Sequence, residues 1–449
     1  MSLAIAKFGG TSVADFQAMQ NCARIIIDNP ERKLAVVSAS SGVTNLLVEL
    51  TNASINDERR HDLVSQVKQI QYAIANELPK DEMVIDELEH LLSKIDSLSE
   101  ALVLNRSKQL MDELLAMGEQ CSSLLFTQVL KQLGANAVRF DVRDVMRTDS
   151  HFGEAEPDVS KIERLTNVKL RPLLTDAIVV TQGFIGADDE GQTTTLGRGG
   201  SDYSAALLAE ALNAQTLEIW TDVAGIYTTD PRMAVNAQPI NEISFSEAAE
   251  MATFGAKVLH PATILPAVRQ GIEVYVGSSK EPQSGGTWIR NQVEKAPVFR
   301  AVTVRRDQTL INLHSLKMLH AQGFLAETFA ILAKHKISVD VVTTSEVNVS
   351  LTLDKMGSAD SGQSLLNETL LQELEQLCEV NVEDSLALIA IIGNQIPNTS
   401  GVSRQVFEIL SDFNIRMSSQ GASQHNLCLL VSNKDAPSVV QTLHKSLFE

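Results

Sequence analysis

Short apolar runs alternate with helical patterns through the first two thirds of the chain. The most strand-like runs occupy residues 3–6, 34–37, 177–181, 217–221 and 272–276. Apolar runs separated by helices are typical of parallel strands buried on both faces, and their ligand-binding loops meet at the carboxyl ends of the strands. The pattern therefore predicts an α/β fold with a mostly parallel sheet sandwiched by helices.

Two glycine-rich loops stand out in this region. Residues 7–12 read Lys-Phe-Gly-Gly-Thr-Ser, and residues 193–202 read Thr-Thr-Thr-Leu-Gly-Arg-Gly-Gly-Ser-Asp ahead of an apolar helix. Glycine lets backbone amides approach an anion, and the start of a helix adds the positive end of its dipole. Lys7 adds a mobile cation. We therefore expect the two loops to hold a phosphoryl donor and its acceptor face to face.

The composition excludes several classes of protein. A formal net charge of −19 without a long basic stripe argues against a nucleic-acid partner or an anionic membrane. The four cysteines are widely spaced and form no C-x-x-C pair, so we expect reduced thiols rather than disulfides or a metal cage. No apolar run reaches the roughly 18 residues that a membrane span needs. The chain starts directly in a strand, and we expect a cytoplasmic protein without a targeting segment.

The length and the turn signals predict three domains. Residues 57–131 are helical in pattern, and we expect them to pack around the first domain. The pair Gly285 and Gly286, with residues 291–297, indicates an exit into a linker. We place a catalytic domain at 1–294, a first small domain with its linker at 295–385, and a second small domain at 386–449.

An internal repeat fills the last third of the chain. A gap-free shift of 78 residues aligns Leu310 with Leu388 and Gly323 with Gly401, among other matches. Each copy reads strand, glycine loop, amphipathic helix, two strands and a final helix, which predicts two ferredoxin-like α+β modules with sheets paired side by side. Asp340 corresponds to Ser418, so the first copy is the better candidate for binding the ammonium group of an amino acid.

Taken together, these segments resemble one known family. Residues 7–12, 193–202, 221–232 and 254–261 are similar to the motifs of aspartate kinases, and the two repeats resemble the paired ACT domains of that family. The resemblance covers essentially the whole chain. Details at 323–327 and 343–346 are most similar to the monofunctional, lysine-sensitive members.

The resemblance implies phosphorylation of the L-aspartate side chain by Mg-ATP. The product is 4-phospho-L-aspartate, the first intermediate toward lysine, threonine and methionine. A carboxylate with a pKa of roughly 3.9 is already ionised at neutral pH, so the reaction needs no general base. Catalysis then depends on in-line positioning and on cations around the phosphoryl group. We expect Lys7 to be that cation and Asp202 to orient it or the metal of Mg-ATP, and we expect no metal site built from protein side chains.

By resemblance, two groups of residues bind the substrates. Arg198 is expected to hold the α-carboxylate of aspartate and Glu119 its ammonium. The full aspartate set is Thr44, Glu119, Arg198, Gly199, Gly200 and Ser201. The ATP set is Lys7, Phe8, Gly9, Gly10, Thr221, Asp222, Tyr227, Arg232, Lys257 and Val258. The sequence contains neither a G-x-x-x-x-G-K-[ST] string nor a protein-kinase catalytic loop, which argues against those two nucleotide sites.

Lysine-sensitive relatives also imply an inhibitor site in the first ACT domain. The expected residues are Met318, Ala321, Phe324, Leu325, Ser338, Val339, Asp340, Thr344, Ser345 and Glu346. Ala321 stands where such relatives carry serine, so we expect feedback by lysine to persist with weaker affinity. The resemblance further implies a homodimer through the ACT domains, or a tetramer, in which bound lysine favours a state with misplaced kinase loops.

Two other functions are compatible with the same patterns. The chain could be another amino-acid or carbamate kinase of this fold, acting on glutamate or a nucleotide. It could also be a catalytically silent amino-acid sensor, although Lys7, Arg198 and Lys257 are all present. A panel of acceptor substrates distinguishes the first alternative, and aspartate-dependent ATP turnover distinguishes the second.

Overall fold

The computed structural model describes residues 2–197, 199–256, 261–294, 296–316, 323–354 and 366–449. Two compact units make up the chain. Unit 1 consists of Met1–Ile226, Pro239–Phe245 and Lys257–Val293. Unit 2 consists of Tyr227–Gln238, Ser246–Ala256 and Glu294–Glu449. The division lies close to the predicted end of the catalytic domain at 294, but two earlier segments fold with the C-terminal unit.

Unit 1 is built on an eight-stranded sheet and a two-stranded sheet. The strands are β1 (Ala4–Phe8), β2 (Arg32–Val37), β3 (Ala137–Phe140), β4 (Ile178–Gln182), β5 (Ile185–Ala187), β6 (Thr193–Thr195), β7 (Thr216–Thr221), β8 (Glu242–Ser244), β9 (Glu273–Ser278) and β10 (Gly286–Arg290). The large sheet has the order β3-β4-β2-β1-β7-β9-β10-β8, and β5 pairs with β6. Its first six strands are parallel, and only the β9–β10 pair is antiparallel.

Helices cover this sheet. They are α1 (Phe16–Ile27), α2 (Val43–Leu50), α3 (Asp57–Ala75), α4 (Glu82–Leu104), α5 (Lys108–Gln132), α6 (Val159–Leu165), α7 (Gly200–Leu212) and α9 (Pro261–Gln270). Helix α8 (Phe245–Thr253) belongs to unit 2 except for its first residue. β1 is buried along its whole length, as expected for a strand covered on both faces. The predicted mostly parallel sheet and the helical region 57–131 are therefore confirmed. Among the described residues, none of the helices has the length and apolar character needed to cross a bilayer.

The sequence did not indicate every strand of unit 1. β3 and β8 have only four and three residues, too few to show a pattern. The pair Gly285 and Gly286 was expected to lead out of the domain, but Gly286 begins β10. A Cβ on Gly286 would lie 2.3 Å from the carbonyl oxygen of Val276. Glycine is needed here for the close approach of two strands rather than for a linker.

Unit 2 contains one antiparallel six-stranded sheet, with helices that belong to the two repeats. The strands are β11 (Phe299–His314), β12 (Val341–Thr344), β13 (Asn348–Asp354), β14 (Glu379–Gly393), β15 (Met417–Gln420) and β16 (Asn426–Ser432). The repeat helices are α10 (Phe324–Lys334), α11 (Glu368–Glu375), α12 (Val402–Ile409) and α13 (Ala436–Phe448). The strand order is β12-β13-β11-β14-β16-β15. The two copies therefore share one sheet, joined by β11 and β14.

The 78-residue repeat is visible in the backbone. Asp307 and Ser385 occupy equivalent positions in β11 and β14, and both have positive φ, +57° and +63°. Gly323 and Gly401 are likewise equivalent, and each caps the following helix with φ of +98° and +88°. Left-handed backbone at matched positions indicates that each copy repeats the same kink and the same helix start.

The cores of the two copies divide β11 between them. Ile311 and Leu313 pack in the core of the first copy. Val302, which precedes the kink, packs in the core of the second copy with Ile389 and Ile391. The expected boundaries at 295 and 386 differ from this arrangement, because the first half of β11 pairs with the second half of β14. In the structure, the first copy is inserted between two strands of the second.

Candidate active site

Four loops of unit 1 surround a cleft of about 570 Å³. They follow β1, β2 and β7, and the fourth leads into α7. The lining residues are Lys7, Gly9, Gly10, Thr11, Ser38, Ala39, Ser40, Ser41, Gly42, Thr44, Glu119, Phe184, Gly197, Gly199, Gly200, Ser201, Asp202, Thr221 and Asp222. This is the edge of the sheet where ligands bind in open α/β folds.

Lys7 is the cation at the centre of the cleft. It extends from the end of β1 and is only 8% exposed. Its Nζ lies 2.5 Å from Oδ1 of Asp202, in the first turn of α7. An ammonium group has three hydrogens, so an ion pair with one carboxylate oxygen leaves others to donate to a ligand. Asp202 therefore orients the Lys7 ammonium without saturating it.

The loop after β1 differs in one respect from the sequence prediction. The residues after Phe8 form a 3₁₀ turn, Gly10–Val13, and α1 begins only at Phe16, with its first turn capped by Asp15. The sequence predicted that the positive end of this helix would face an anion, but the Asp15 carboxylate caps the start of α1 instead. The amide of Gly9 donates to the carbonyl of Trp220 at 3.1 Å. In the described part of this loop, the N–H groups at the start of the 3₁₀ turn have no preceding turn to donate to and can donate to an anion.

The loop before α7 has the geometry that was predicted for an anion site. Gly199 caps α7 with φ of +73° and provides no side-chain acceptor for the first N–H groups. Gly199, Gly200 and Ser201 all line the cleft. The amide of Gly200 donates to the carbonyl of Gly197 at 3.0 Å, but those of Ser201 and Asp202 have no preceding turn of this 13-residue helix to donate to. They can donate to a ligand, which also meets the positive end of the helix dipole. This is the stronger of the two predicted anion sites.

Glu119 brings a buried carboxyl group to the same cleft. It lies on α5, is 4% exposed, and accepts a hydrogen bond at 3.0 Å from the amide of Ala39. Burial raises the pKa of Glu119 to about 8, while that hydrogen bond and the charge of Lys7 act in the opposite direction. A buried carboxyl with one backbone donor is well suited to accept an ammonium group, which would restore its charged form.

Asp112 is a second buried carboxyl group on α5 that sequence reasoning missed. It lies seven residues before Glu119, so the two share a helix face. It accepts hydrogen bonds from the amides of Gly153 and Thr195 and from the hydroxyl of Thr195, at 2.8 to 3.0 Å. Burial raises its pKa to about 6 despite these donors. Asp112 thereby ties β6, and with it the loop toward α7, to the helix that carries Glu119.

Two other lining residues, Ser40 and Phe184, were not among the predicted site residues. The buried hydroxyl of Ser40 makes no hydrogen bond to any residue that the structure describes. Phe184 has φ of +69°, which is rare for a bulky residue. Strained backbone of this kind is concentrated at functional sites. A pattern search cannot find either feature, because both depend on the folded backbone.

The cleft brings together many of the predicted substrate residues. From the aspartate set these are Thr44, Glu119, Gly199, Gly200 and Ser201, and from the ATP set Lys7, Gly9, Gly10, Thr221 and Asp222. Phe8 is not among them, because its side chain is buried against Phe126. Tyr227 and Arg232 belong to unit 2. Arg198, Lys257 and Val258 lie outside the described residues.

The described residues of the predicted lysine site lie in the first repeat copy. Phe324 and Leu325 begin α10, while Thr344, Ser345 and Glu346 lie at the turn between β12 and β13. Asp340 precedes β12, and one of its oxygens pairs with Arg305 at 3.0 Å. Burial raises the pKa of Asp340, and Arg305 opposes this shift. Met318 and Ala321 lie outside the described residues.

A glycine behind the cleft gives a test of its packing. A Cβ on Gly183 would lie 2.6 Å from Cβ of Ser201, so Gly183→Ala should push the start of α7 away from its position. We expect a loss of about 1–3 kcal/mol in unfolding free energy and a rise of about tenfold in KM for the anionic substrate that this helix binds. Thermal melting and steady-state kinetics measure both effects.

The control for this substitution is Gly134→Ala. Gly134 has positive φ, +84°, but it has open space around it and lies outside the cleft. It should lower stability while leaving KM unchanged. An unchanged KM in folded Gly183→Ala would show that the start of α7 does not bind the substrate.

No group of three or more His, Cys, Asp or Glu side chains within the described ranges could hold a metal ion.

Comparisons with known proteins show the family to which this chain is similar. The model of the amino acid kinase family matches residues 2–278, and an ACT domain model matches residues 389–447. The lysine-sensitive aspartokinase 3 of Escherichia coli K12 is 54% identical over 447 residues, covering 100% of this chain and 99% of the relative. Aspartokinase 1 of Arabidopsis thaliana chloroplasts is 34% identical, covering 99% of this chain and 80% of the relative.

Solved structures show the same similarity. The structure of E. coli aspartokinase III with aspartate and ADP covers 100% of both chains at 54% identity, with a TM-score of 0.91. The structure of the same enzyme with lysine and aspartate gives a TM-score of 0.85 at the same coverage. Because the matches extend over the full length at more than half identity, this chain belongs to the aspartokinase branch of the amino acid kinase family.

Proposed function

We propose that this protein transfers the γ-phosphoryl group of Mg-ATP to the side-chain carboxylate of L-aspartate and is inhibited by L-lysine. The observation that carries the proposal is the arrangement of one cleft. A buried carboxyl group, a paired lysine and an uncapped helix start all face the same space. Aspartate has one ammonium and two carboxylate groups. The buried carboxyl group can pair with the ammonium, and the helix start and the lysine can each face one carboxylate.

The acceptor is positioned by its charges. The ammonium of aspartate pairs with Glu119, and its α-carboxylate binds near Gly199 and Ser201 at the start of α7, where Arg198 follows Gly197 in the chain. The side-chain carboxylate is then left to face Lys7. An ammonium ion that enters a buried carboxylate site gains a strong charge-assisted hydrogen bond. This recognition excludes acceptors that lack an α-ammonium group.

The chemical step needs charge stabilisation rather than proton transfer. A side-chain oxygen of aspartate attacks the γ-phosphorus, the bond from that phosphorus to the bridging oxygen breaks, and ADP leaves with the electron pair. No proton has to move, because the attacking carboxylate is already ionised. The Lys7 ammonium, held by Asp202, stabilises the charge on the transferring group and the leaving oxygen.

The acceptor panel tests this function directly. Purified protein is incubated with Mg-ATP and aspartate, glutamate or carbamate, and ADP formation is measured together with trapping of the acyl phosphate by hydroxylamine. We expect ADP and hydroxamate in equal amounts with aspartate and little with the other acceptors. ADP formation that does not depend on aspartate would contradict the proposal, and a preference for another acceptor would favour another kinase of this fold.

The proposed lysine site gives a second prediction. Asp340→Ala should raise the lysine concentration for half-inhibition by at least about tenfold, since it removes the carboxylate that would hold the lysine ammonium. The activity without lysine should be unchanged. Inhibition curves for lysine, threonine and methionine measure the effect.

Ser418→Ala is the matched control, because Ser418 occupies the equivalent position in the second copy. It should keep the lysine sensitivity of the natural protein. Equal inhibition of the natural protein and Asp340→Ala would mean that lysine binds elsewhere.

A further inference from the structure

The segment Tyr227–Gln238 is unusual because it folds with unit 2 although it follows β7 of unit 1 by only five residues. It carries Tyr227 and Arg232, two residues expected to bind ATP. The Arg232 side chain is 84% exposed and pairs with Asp230 of the same segment at 2.6 Å. Its ion-pair partner belongs to the same segment, so the position of the Arg232 side chain depends on how the segment is folded.

Thr228 closes this segment into a loop. Its amide donates to the carbonyl of Gln238, and the amide of Gln238 donates to its hydroxyl, both at 2.9 Å. Thr228 is buried, and its carbonyl accepts a hydrogen bond from the amide of Val302 at 2.7 Å. One threonine thus fixes both ends of the segment and its attachment to β11.

The C-terminal helix holds the same threonine from the other side. Nε2 of His444, on α13, lies 2.9 Å from the hydroxyl of Thr228. His444 is 1% exposed, and its ring packs against that of Phe448 in a tilted arrangement at a centroid distance of 5.2 Å. Because the Thr228 hydroxyl accepts from Gln238, it can donate its hydrogen to Nε2 and satisfy both groups. A buried hydrogen bond of this kind fixes the helix against the loop.

Two further hydrogen bonds join α13 to the segment. Nε2 of Gln441 donates to the carbonyl of Met233 at 3.0 Å, next to Arg232. Nε2 of Gln238 donates to the carbonyl of Phe448 at 3.1 Å. Met233 also packs against the core of the second repeat copy. The segment is therefore tied at its beginning, middle and end to the last helix of the chain.

We propose that α13 is a positioning element for nucleotide binding, which acts by fixing the shape of segment 227–238 through Thr228 and His444. The inference rests on the proposed function, because that function assigns ATP to Tyr227 and Arg232. The last helix of the second repeat copy then determines the conformation of the segment that carries these two residues. The residues proposed for aspartate recognition, Glu119 and the start of α7, belong to unit 1.

The test separates ATP binding from aspartate binding. Thr228→Val keeps the shape and removes the hydroxyl, and His444→Phe keeps a ring and removes both of its nitrogens. We expect each to raise KM for ATP, and the Kd for Mg-ADP by calorimetry, by about tenfold. We expect kcat at saturating ATP and KM for aspartate to change by less than about twofold. Thr228→Ser, which retains the hydroxyl, should restore ATP binding.

Two variants complete the design. Lys445→Ala alters an exposed neighbour on α13 and should leave all constants unchanged. Gln441→Ala alters an exposed side chain, so this variant can be measured even if the buried substitutions prevent folding. Because it removes the hydrogen bond to Met233, it should raise KM for ATP about threefold. Unchanged ATP constants in folded Thr228→Val and His444→Phe, or in Gln441→Ala alone, would overturn the proposal. If the natural protein showed no aspartate-dependent turnover, the proposed function would be overturned instead. The Kd for Mg-ADP in the same variants would then still test the positioning role of α13.

Discussion

Replacing Lys7 by alanine should lower kcat for aspartate-dependent ADP formation by about 10²–10³-fold. Among the described residues that line the cleft, Lys7 is the cation proposed to face the transferring phosphoryl group. Its ammonium is preorganised by the 2.5 Å contact with Asp202. A preorganised charge stabilises the transition state more than the ground state. KM for aspartate should therefore change by less than about threefold. Steady-state kinetics at saturating Mg-ATP measure both constants.

Two variants control for the loss of charge at position 7. Lys131→Ala removes an exposed lysine at the end of α5 and should leave kcat unchanged. Asp202→Asn keeps the Lys7 ammonium but weakens its orientation, so it should lower kcat by less than Lys7→Ala does. Full turnover by Lys7→Ala would show that another group stabilises the transferring phosphoryl.

Replacing Glu119 by glutamine should raise KM for aspartate by about 10²–10³-fold. The substitution keeps the size of a buried side chain but removes the negative charge that would pair with the substrate ammonium. The value of kcat at saturating aspartate should be nearly unchanged. Glu113→Gln is the control, because Glu113 lies on the same helix and pairs with Lys94 at 2.6 Å outside the cleft. Glu113→Gln should keep the natural KM.

The pKa of Glu119 adds a pH dependence to this prediction. Burial places that pKa at about 8 in the free protein, so the carboxyl is mostly protonated at pH 7 and must lose its proton when an ammonium binds. The value of kcat/KM for aspartate should rise about tenfold per pH unit between pH 6 and 7.5 and level off above about 8. Aspartate binding at pH 7 should release close to one proton, measurable by calorimetry in buffers of different ionisation enthalpy. A flat profile in the natural protein would mean that Glu119 is not the ammonium partner.

The sequence was most informative where chemistry requires glycine and small residues. The loops at 7–12 and 193–202, together with Thr221 and Asp222, were predicted as ligand loops, and the structure places members of all of them in one cleft. Asp112 could not be predicted in this way. It acts through three hydrogen bonds to residues 41 and 83 positions away, and no local spacing indicates such partners.

The C-terminal third shows a second limit of sequence reasoning. The repeat predicted two similar modules and a shared sheet, and both are present. The insertion of one copy into the other was not predicted, because it depends on how each half of β11 and β14 pairs. Likewise, nothing local to residues 227–238 indicates a buried partner more than 200 positions away at His444. Pairings over such separations are determined by the tertiary fold.

In the proposed mechanism, Glu119 recognises the acceptor and Lys7 stabilises the transferring phosphoryl group. The most direct test is a rapid-quench single-turnover experiment with γ-labelled ATP, comparing Glu119→Gln and Lys7→Ala as aspartate is raised to saturation. We predict that Glu119→Gln reaches the transfer rate of the natural protein, while Lys7→Ala remains slower by about 10²–10³-fold at every aspartate concentration. Recovery of the rate in Lys7→Ala, or the same loss in both variants, would contradict this account.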